Sequence, residues 1–378
     1  MTMIPFIDLT RHESGFFESY IDKVRALTRS ATFIGGDEVI SLERRLQSRL
    51  KVKYAVTCAN GTDALQLALR AVGVTAGDTV LVPNLTFWAT VEAVVNVAAT
   101  PVLIDADLRD AGISFEAFLE ALEKEKPRAA IIAHLYGWGT SRLSELRKRC
   151  EELRIPLIED GAQCFGTTVD GNSIAEGALV STTSFYPAKV LGAAGDGGAV
   201  FTSSDRIGEA VRNLANHGRS KHYEFAAIGW NSRLDSFQAA YLNLGLDYLD
   251  QRIESRRFAA RYYRTALEQI GIHVMAPPDQ YNENGYCNVC IIRDQAVKNS
   301  IEATLRSRKI GFANIYPGTM LDQPALRTMR PRHFGGNNAE QICSSVLNLP
   351  LFPYIRESEL NEVLAAVFDG KKGKQLSD

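Results

Sequence analysis

A chain of 378 residues, 46% hydrophobic and 23% charged, is long enough for one large and one smaller globular domain with buried cores. Its formal charge of −2 supplies no basic field, which excludes recruitment of nucleic acid or anionic membrane by charge and requires any anionic ligand to be held locally. No apolar run reaches spanning length, the opening Met1–Asp8 is too soon interrupted for a secretory signal, and six scattered cysteines form no framework, so the chain reads as cytoplasmic and reduced.

In chain order, Tyr54–Thr57 reads as a strand, Gly61–Ala71 as a helix with leucines at 65, 67 and 69, and Thr79–Val82 as a strand stopped by Pro83. Thr86–Val97 reads as helical and Pro101–Ile104 as extended. Ser114 opens a helix as its cap, Ala129–Ala133 is a buried strand, Ser141–Leu153 a helix and Pro156–Glu159 a strand. Short apolar strands separated by helices argue an α/β fold whose sheet is mostly parallel and covered on both faces. After Arg233 one long helical segment is expected from Asp235 to Leu267, and Pro277-Pro278 breaks the chain near a second α/β unit. The domain boundary falls within that helix: residues 1–250 form the large domain, and 251–378 the small one.

Candidate chemistry recurs at the carboxyl ends of these strands, where open sheets gather ligands. Asn60-Gly61-Thr62 follows a strand and opens a helix, whose free N–H groups favour a phosphate; a plain cap and tight turn is the bland alternative. Phe87 and Trp88 follow a second strand end, either as core or as a ring that stacks on a flat ligand. Asp160 lies just past a third and can cap a helix or pair with a protonated ring nitrogen. Ser184 offers a hydroxyl near Lys189, a lysine set among small and aromatic residues in Ser184-Phe185-Tyr186-Pro187-Ala188-Lys189. Desolvation of such a lysine favours the neutral amine, a nucleophile that forms Schiff bases with carbonyls. Phosphate donors, a stacking ring, an acid and this lysine together match pyridoxal 5'-phosphate (PLP). The glycine run Gly192–Gly198 leads into a strand and does not open a helix, so a dinucleotide fingerprint lacks its context, and no GxxxxGK[ST] loop is present. No metal site is expected, since Cys287-Asn288-Val289-Cys290 has no second pair.

These residues resemble the DegT/DnrJ/EryC1/StrS family of PLP-dependent nucleotide-sugar aminotransferases, of fold type I. The likeness runs through Asn60–Leu65, Thr86–Thr90, His134–Gly137, Glu159–Gln163, Ser184–Gly198, Gly229–Leu234 and Leu347–Pro353. It implies that Lys189 holds PLP as a Schiff base and shuttles protons, that Asp160 keeps the ring nitrogen protonated, and that Gln163 bonds the 3-hydroxyl side. Phe87 then stacks on the ring, Gly61, Thr62 and Ser184 hold phosphate, and Asn231 reaches the phosphate of the other subunit of a homodimer. Arg233, His217 and Tyr316 are implied near the substrate.

The resemblance further implies glutamate as amino donor and a keto nucleotide-sugar as acceptor. Leu191-Gly192 and Gly195-Asp196-Gly197-Gly198 follow the C-3 style, pointing to a 3-keto UDP-N-acetylglucosamine-type substrate or its uronate. A dTDP-3-keto- or 4-keto-6-deoxyhexose is the alternative, and a PLP-binding regulator without turnover the non-enzyme one. The aminosugar would enter lipopolysaccharide or antibiotic synthesis. One departure stands out. Where the family has His-Tyr-Pro-x-Pro-x-His, Asn314–Met320 keeps the tyrosine and first proline and loses both histidines.

Overall fold

A computed structural model describes residues 3–375. Its centre is an eight-stranded sheet, in spatial order Tyr54–Cys58, Gly198–Thr202, Val180–Ser184, Leu157–Asp160, Ala129–Ala133, Thr79–Pro83, Thr100–Ile104 and His333–Phe334. Gly198–Thr202 pairs antiparallel with both neighbours, and every other pairing is parallel. The strands read as continuous apolar runs because both faces are buried: Val80 and Val82 enter one core and Leu81 the other. Helices Gly61–Ala71, Trp88–Asn96 and Asp205–Ala215 cover the first face, and Phe115–Glu125, Leu143–Glu152 and Asn338–Ser345 the second.

The single helix expected over Asp235–Leu267 is two, Ser236–Asp247 and Leu249–Glu268, separated at Tyr248, whose φ of −108° and ψ of 1° leave helical space. The first helix serves one core, and the second passes from that core to another. Ala239, Leu242 and Leu246 pack with Leu42, Leu46 and Phe185, Leu249 and Ile253 at the start of the second helix stay with that core, and Ala259, Ala260, Tyr263 and Leu267 join the small-domain core.

That smaller core surrounds an antiparallel three-stranded sheet, His273–Val274, Cys290–Ile291 and Val346–Leu347, with helices Gln295–Ser307 and Glu357–Gln375. Division of the chain at residue 250 is crossed in two places. Tyr281–Asn282 pairs with Thr168–Val169, and His333–Phe334 adds a parallel edge strand beside Thr100–Ile104. Segments from the second half of the chain therefore fold back over the large sheet and bring Tyr286 and Tyr316 to its strand ends. Among the described residues, no helix is long and apolar enough to cross a membrane.

Candidate active site

Strand register sets the site. Asp160 ends its strand level with Ala133 on one side and Thr182 on the other, and Ser184 lies opposite Gly198. Above these ends opens a cavity of about 560 Å³, lined by Gly61, Thr62, Phe87, Asp160, Gln163, Ser184, Lys189 and Tyr316 among others. Eight of the expected site residues thus meet in one place. Asn231, Arg233 and His217 do not line it and are exposed.

One end of the cavity is an anion cradle. Asn60 caps the Gly61–Ala71 helix, its Oδ1 accepting from the Asp63 N–H at 2.8 Å, while the Gly61 and Thr62 N–H groups have no acceptor within the helix. Close approach explains two glycines here. A Cβ on Gly61 would lie 2.7 Å from the Ser184 Cβ, and one on Gly198 would lie 2.3 Å from the Asn60 carbonyl oxygen. The glycine run after Lys189 therefore lets the capped turn and the Ser184 strand end share one corner.

Asp160 is held from two sides. Its Oδ2 accepts from the Thr90 hydroxyl at 2.9 Å and its Oδ1 from the Ala162 N–H at 3.1 Å, and the Thr86 hydroxyl pairs with that of Thr90 at 2.8 Å. Gln163 accepts from the Tyr136 N–H at 2.7 Å and donates to the Tyr316 hydroxyl at 2.6 Å. Glu159 points to the opposite sheet face, where it accepts from Arg147 at 2.7 and 2.8 Å and pairs with His134 at 2.9 Å. Burial pushes the Glu159 carboxyl up, but His134 and Arg147 outweigh it and hold it below the usual carboxylate range.

Lys189 reaches the back of the cavity, its amine donating to the Tyr286 hydroxyl at 3.4 Å. Burial lowers its pKa, and the opposing charge of Asp160 limits the drop. An amine closer to neutral at ordinary pH is what carbonyl chemistry requires. Phe87, 59% exposed, presents its ring at the mouth 6.2 Å from that of Tyr316. Carboxylate, amine, exposed ring and helix N-terminus around one cavity fit a phosphorylated, flat, carbonyl-bearing cofactor such as PLP.

Two contributors escape a reading of the sequence. Thr90 stands inside the Thr86–Thr90 motif but carries no chemistry of its own, and Tyr286 follows the polar run Asn282–Gly285 with no motif to mark it. At the departure from the family pattern, Ile315 and Tyr316 line the cavity while Met320 is buried in the core and faces away from it. Cys287 and Cys290, like the other four cysteines, are free and buried.

The segment around Asn231 is tied to the cradle from outside. Ser232, fully buried, donates to Asp63 at 2.6 Å and accepts from the Ala59 N–H at 3.1 Å, which turns Asn231 and Arg233 outward. His217 sits nearby with a φ of 63°, its N–H bonded to the Trp230 carbonyl at 2.7 Å.

Comparison with known proteins decides the family. The model of the DegT/DnrJ/EryC1/StrS aminotransferase family matches residues 17–368. This chain belongs to that family. It is a PLP-dependent sugar aminotransferase with the fold shared by its members. It is 34% identical to a UDP-2-acetamido-2-deoxy-3-oxo-D-glucuronate aminotransferase of Pseudomonas aeruginosa, covering 97% of this chain and 99% of the relative. It is 32% identical to a UDP-N-acetyl-3-dehydro-alpha-D-glucosamine 3-aminotransferase of Acidithiobacillus ferrooxidans, covering 97% of each. The solved structure of S. venezuelae DesV superposes with a TM-score of 0.92 at 29% identity, covering 99% of both chains.

Proposed function

We propose that this aminotransferase moves the amino group of glutamate to the C-3 ketone of a UDP-N-acetylglucosamine-type sugar or its uronate. The observation that carries the substrate class is near-full-length likeness to two relatives whose names specify 3-oxo UDP-sugars, at 34% and 32% identity. The Gly195-Asp196-Gly197-Gly198 style after Lys189 agrees with it.

When bound, PLP supplies an electron sink that makes amino transfer between an amino acid and a ketone feasible. The chain supplies everything else. Asp160, fixed by Thr90 and the Ala162 N–H, would hold a proton at the ring nitrogen. Gln163 would meet the 3-hydroxyl side, Phe87 would stack on the ring, and Gly61, Thr62 and Ser184 would hold the phosphate. Lys189 would hold the cofactor and, as a freed amine, would take the proton from the reacting carbon of the donor in one half-reaction and deliver one to the sugar C-3 in the other. Tyr316, hydrogen-bonded to Gln163, faces the substrate side.

The cavity walls offer few cations for an anionic substrate, Lys189 aside. We assign the missing contacts to a second copy: Asn231 completes the phosphate site of a homodimer, and Arg233 and His217 meet the substrate there. The reaction belongs to the cytoplasm, in keeping with six free thiols. A panel of 3-keto and 4-keto UDP- and dTDP-sugars, incubated with glutamate and read by mass spectrometry, tests the reading. Amination of 3-keto UDP-sugars above all others is expected; preference for a 4-keto or dTDP substrate refutes it.

A further inference from the structure

Resting on the role of Lys189 just given, we propose that Tyr286 is the positioning residue for the Lys189 amine, holding it at the reacting side of the cavity whenever it is free to carry a proton.

A lysine amine rides on a flexible four-carbon stem and loses rotamer entropy when fixed. Proton transfer needs that fixation, because misplacement by about 1 Å costs on the order of a hundredfold in rate. Tyr286 can supply it in both protonation states. Its hydroxyl, 3.4 Å from Nζ, accepts from the ammonium and donates to the lone pair of the neutral amine. Its ring acts separately: Nζ lies 5.2 Å from the ring centroid, within reach of a cation–π attraction. Burial pushes the Tyr286 hydroxyl well up, so it keeps its proton and acts by hydrogen bonding.

The other groups around the amine are committed or silent. Asp160 is engaged by Thr90 and Ala162, and burial pushes the thiols of Cys164 and Cys287 up, which leaves them as weak partners.

Tyr286 is itself clamped to the machinery. Its N–H donates to Asn284 Oδ1 at 2.9 Å, and Asn284 Nδ2 donates to the carbonyls of Gln163 at 2.9 Å and Phe165 at 3.0 Å. Asn284 is fully buried. The tyrosine is thus fastened to the loop that carries Gln163. Gly285, at a φ of +67°, makes the turn possible, since a Cβ there would lie 2.6 Å from the Arg256 Cβ. This is more support than a packing aromatic requires.

Two variants separate hydroxyl from ring: Tyr286→Phe removes the first, and Tyr286→Leu removes both. Two rates are read on the full chain. One is the return of the visible band when PLP is added to cofactor-stripped protein; the other is bleaching of that band by the amino acid that bleaches wild type, with kcat separated from KM. Tyr286→Phe should lower both rates about tenfold with KM within about twofold, and Tyr286→Leu should lower them further. A Tyr286→Phe protein within about twofold of wild type in either rate, or a loss confined to KM, overturns the proposal. If wild type forms no band, or Lys189→Ala keeps it, the cofactor assignment has failed, and that outcome is visible before any Tyr286 variant is made.

Discussion

Two regions carry residues whose sequence context marks them as functional, and they are built in opposite ways. At the strand ends, Asp160, Gln163, Ser184 and Lys189 face one cavity, and Asp160, Gln163 and Lys189 are hydrogen-bonded to Thr90, Tyr316 and Tyr286 from distant parts of the chain. In the segment from His217 to Arg233, the side chains of His217, Asn231 and Arg233 face solvent, although Ser232 between the last two is locked to Asp63. The cavity of the first region is lined by one chain; the second is anchored but lines no part of that cavity. The proposal that this segment serves a neighbouring copy rests on that contrast.

Stability should break along the same line. Arg147→Met leaves Glu159 buried with only His134 and is expected to cost about 3–5 kcal/mol, measured by denaturant unfolding. Arg233→Met, on an exposed guanidinium, should change stability by under about 0.5 kcal/mol. The Glu159 contribution has a definite sign. Its folded pKa is depressed, so the stabilisation is present above the unfolded carboxylate value and fades as pH falls through the folded one. Equal losses in the two variants would erase the contrast.

Mixing tests whether the exposed segment serves a partner. Lys189→Ala and Asn231→Ala proteins, each inactive or impaired alone, should regain about a quarter of wild-type activity when unfolded and refolded together, because half the dimers then hold one intact site of two. No recovery would return Asn231 to the chain that carries it.

The smallest effect sharpens the interior. Thr90→Val keeps the shape and removes the hydroxyl that donates to Asp160, and it should weaken PLP binding by about 1 kcal/mol, roughly five- to tenfold in Kd by spectroscopic titration. An unchanged Kd would make Thr90 a packing residue.

Much of this was legible in the sequence for a physical reason. Strands buried on both faces announce themselves as apolar runs, and Asp160 and Lys189 stand out because a charged side chain among small and aromatic neighbours needs a purpose. What was not legible depends on distant pairing. Thr90 and Asp160 are 70 residues apart, and Lys189 and Tyr286 are 97 apart, so neither contact leaves a local pattern. The break at Tyr248 was hidden likewise: both halves of the segment read as helix, and the departure from helical φ and ψ shows only in the fold. The return of His333–Phe334 to the large sheet, across the expected boundary at 250, rests on two residues too short to read as a strand.

Everything turns on one amine in one cavity. The most direct measurement is the visible absorbance of the purified chain after PLP addition, compared with that of Lys189→Ala. A band present in wild type, bleached by glutamate and missing from the variant, is the expected result. A colourless wild type, or a Lys189→Ala protein with the same band, would contradict the account.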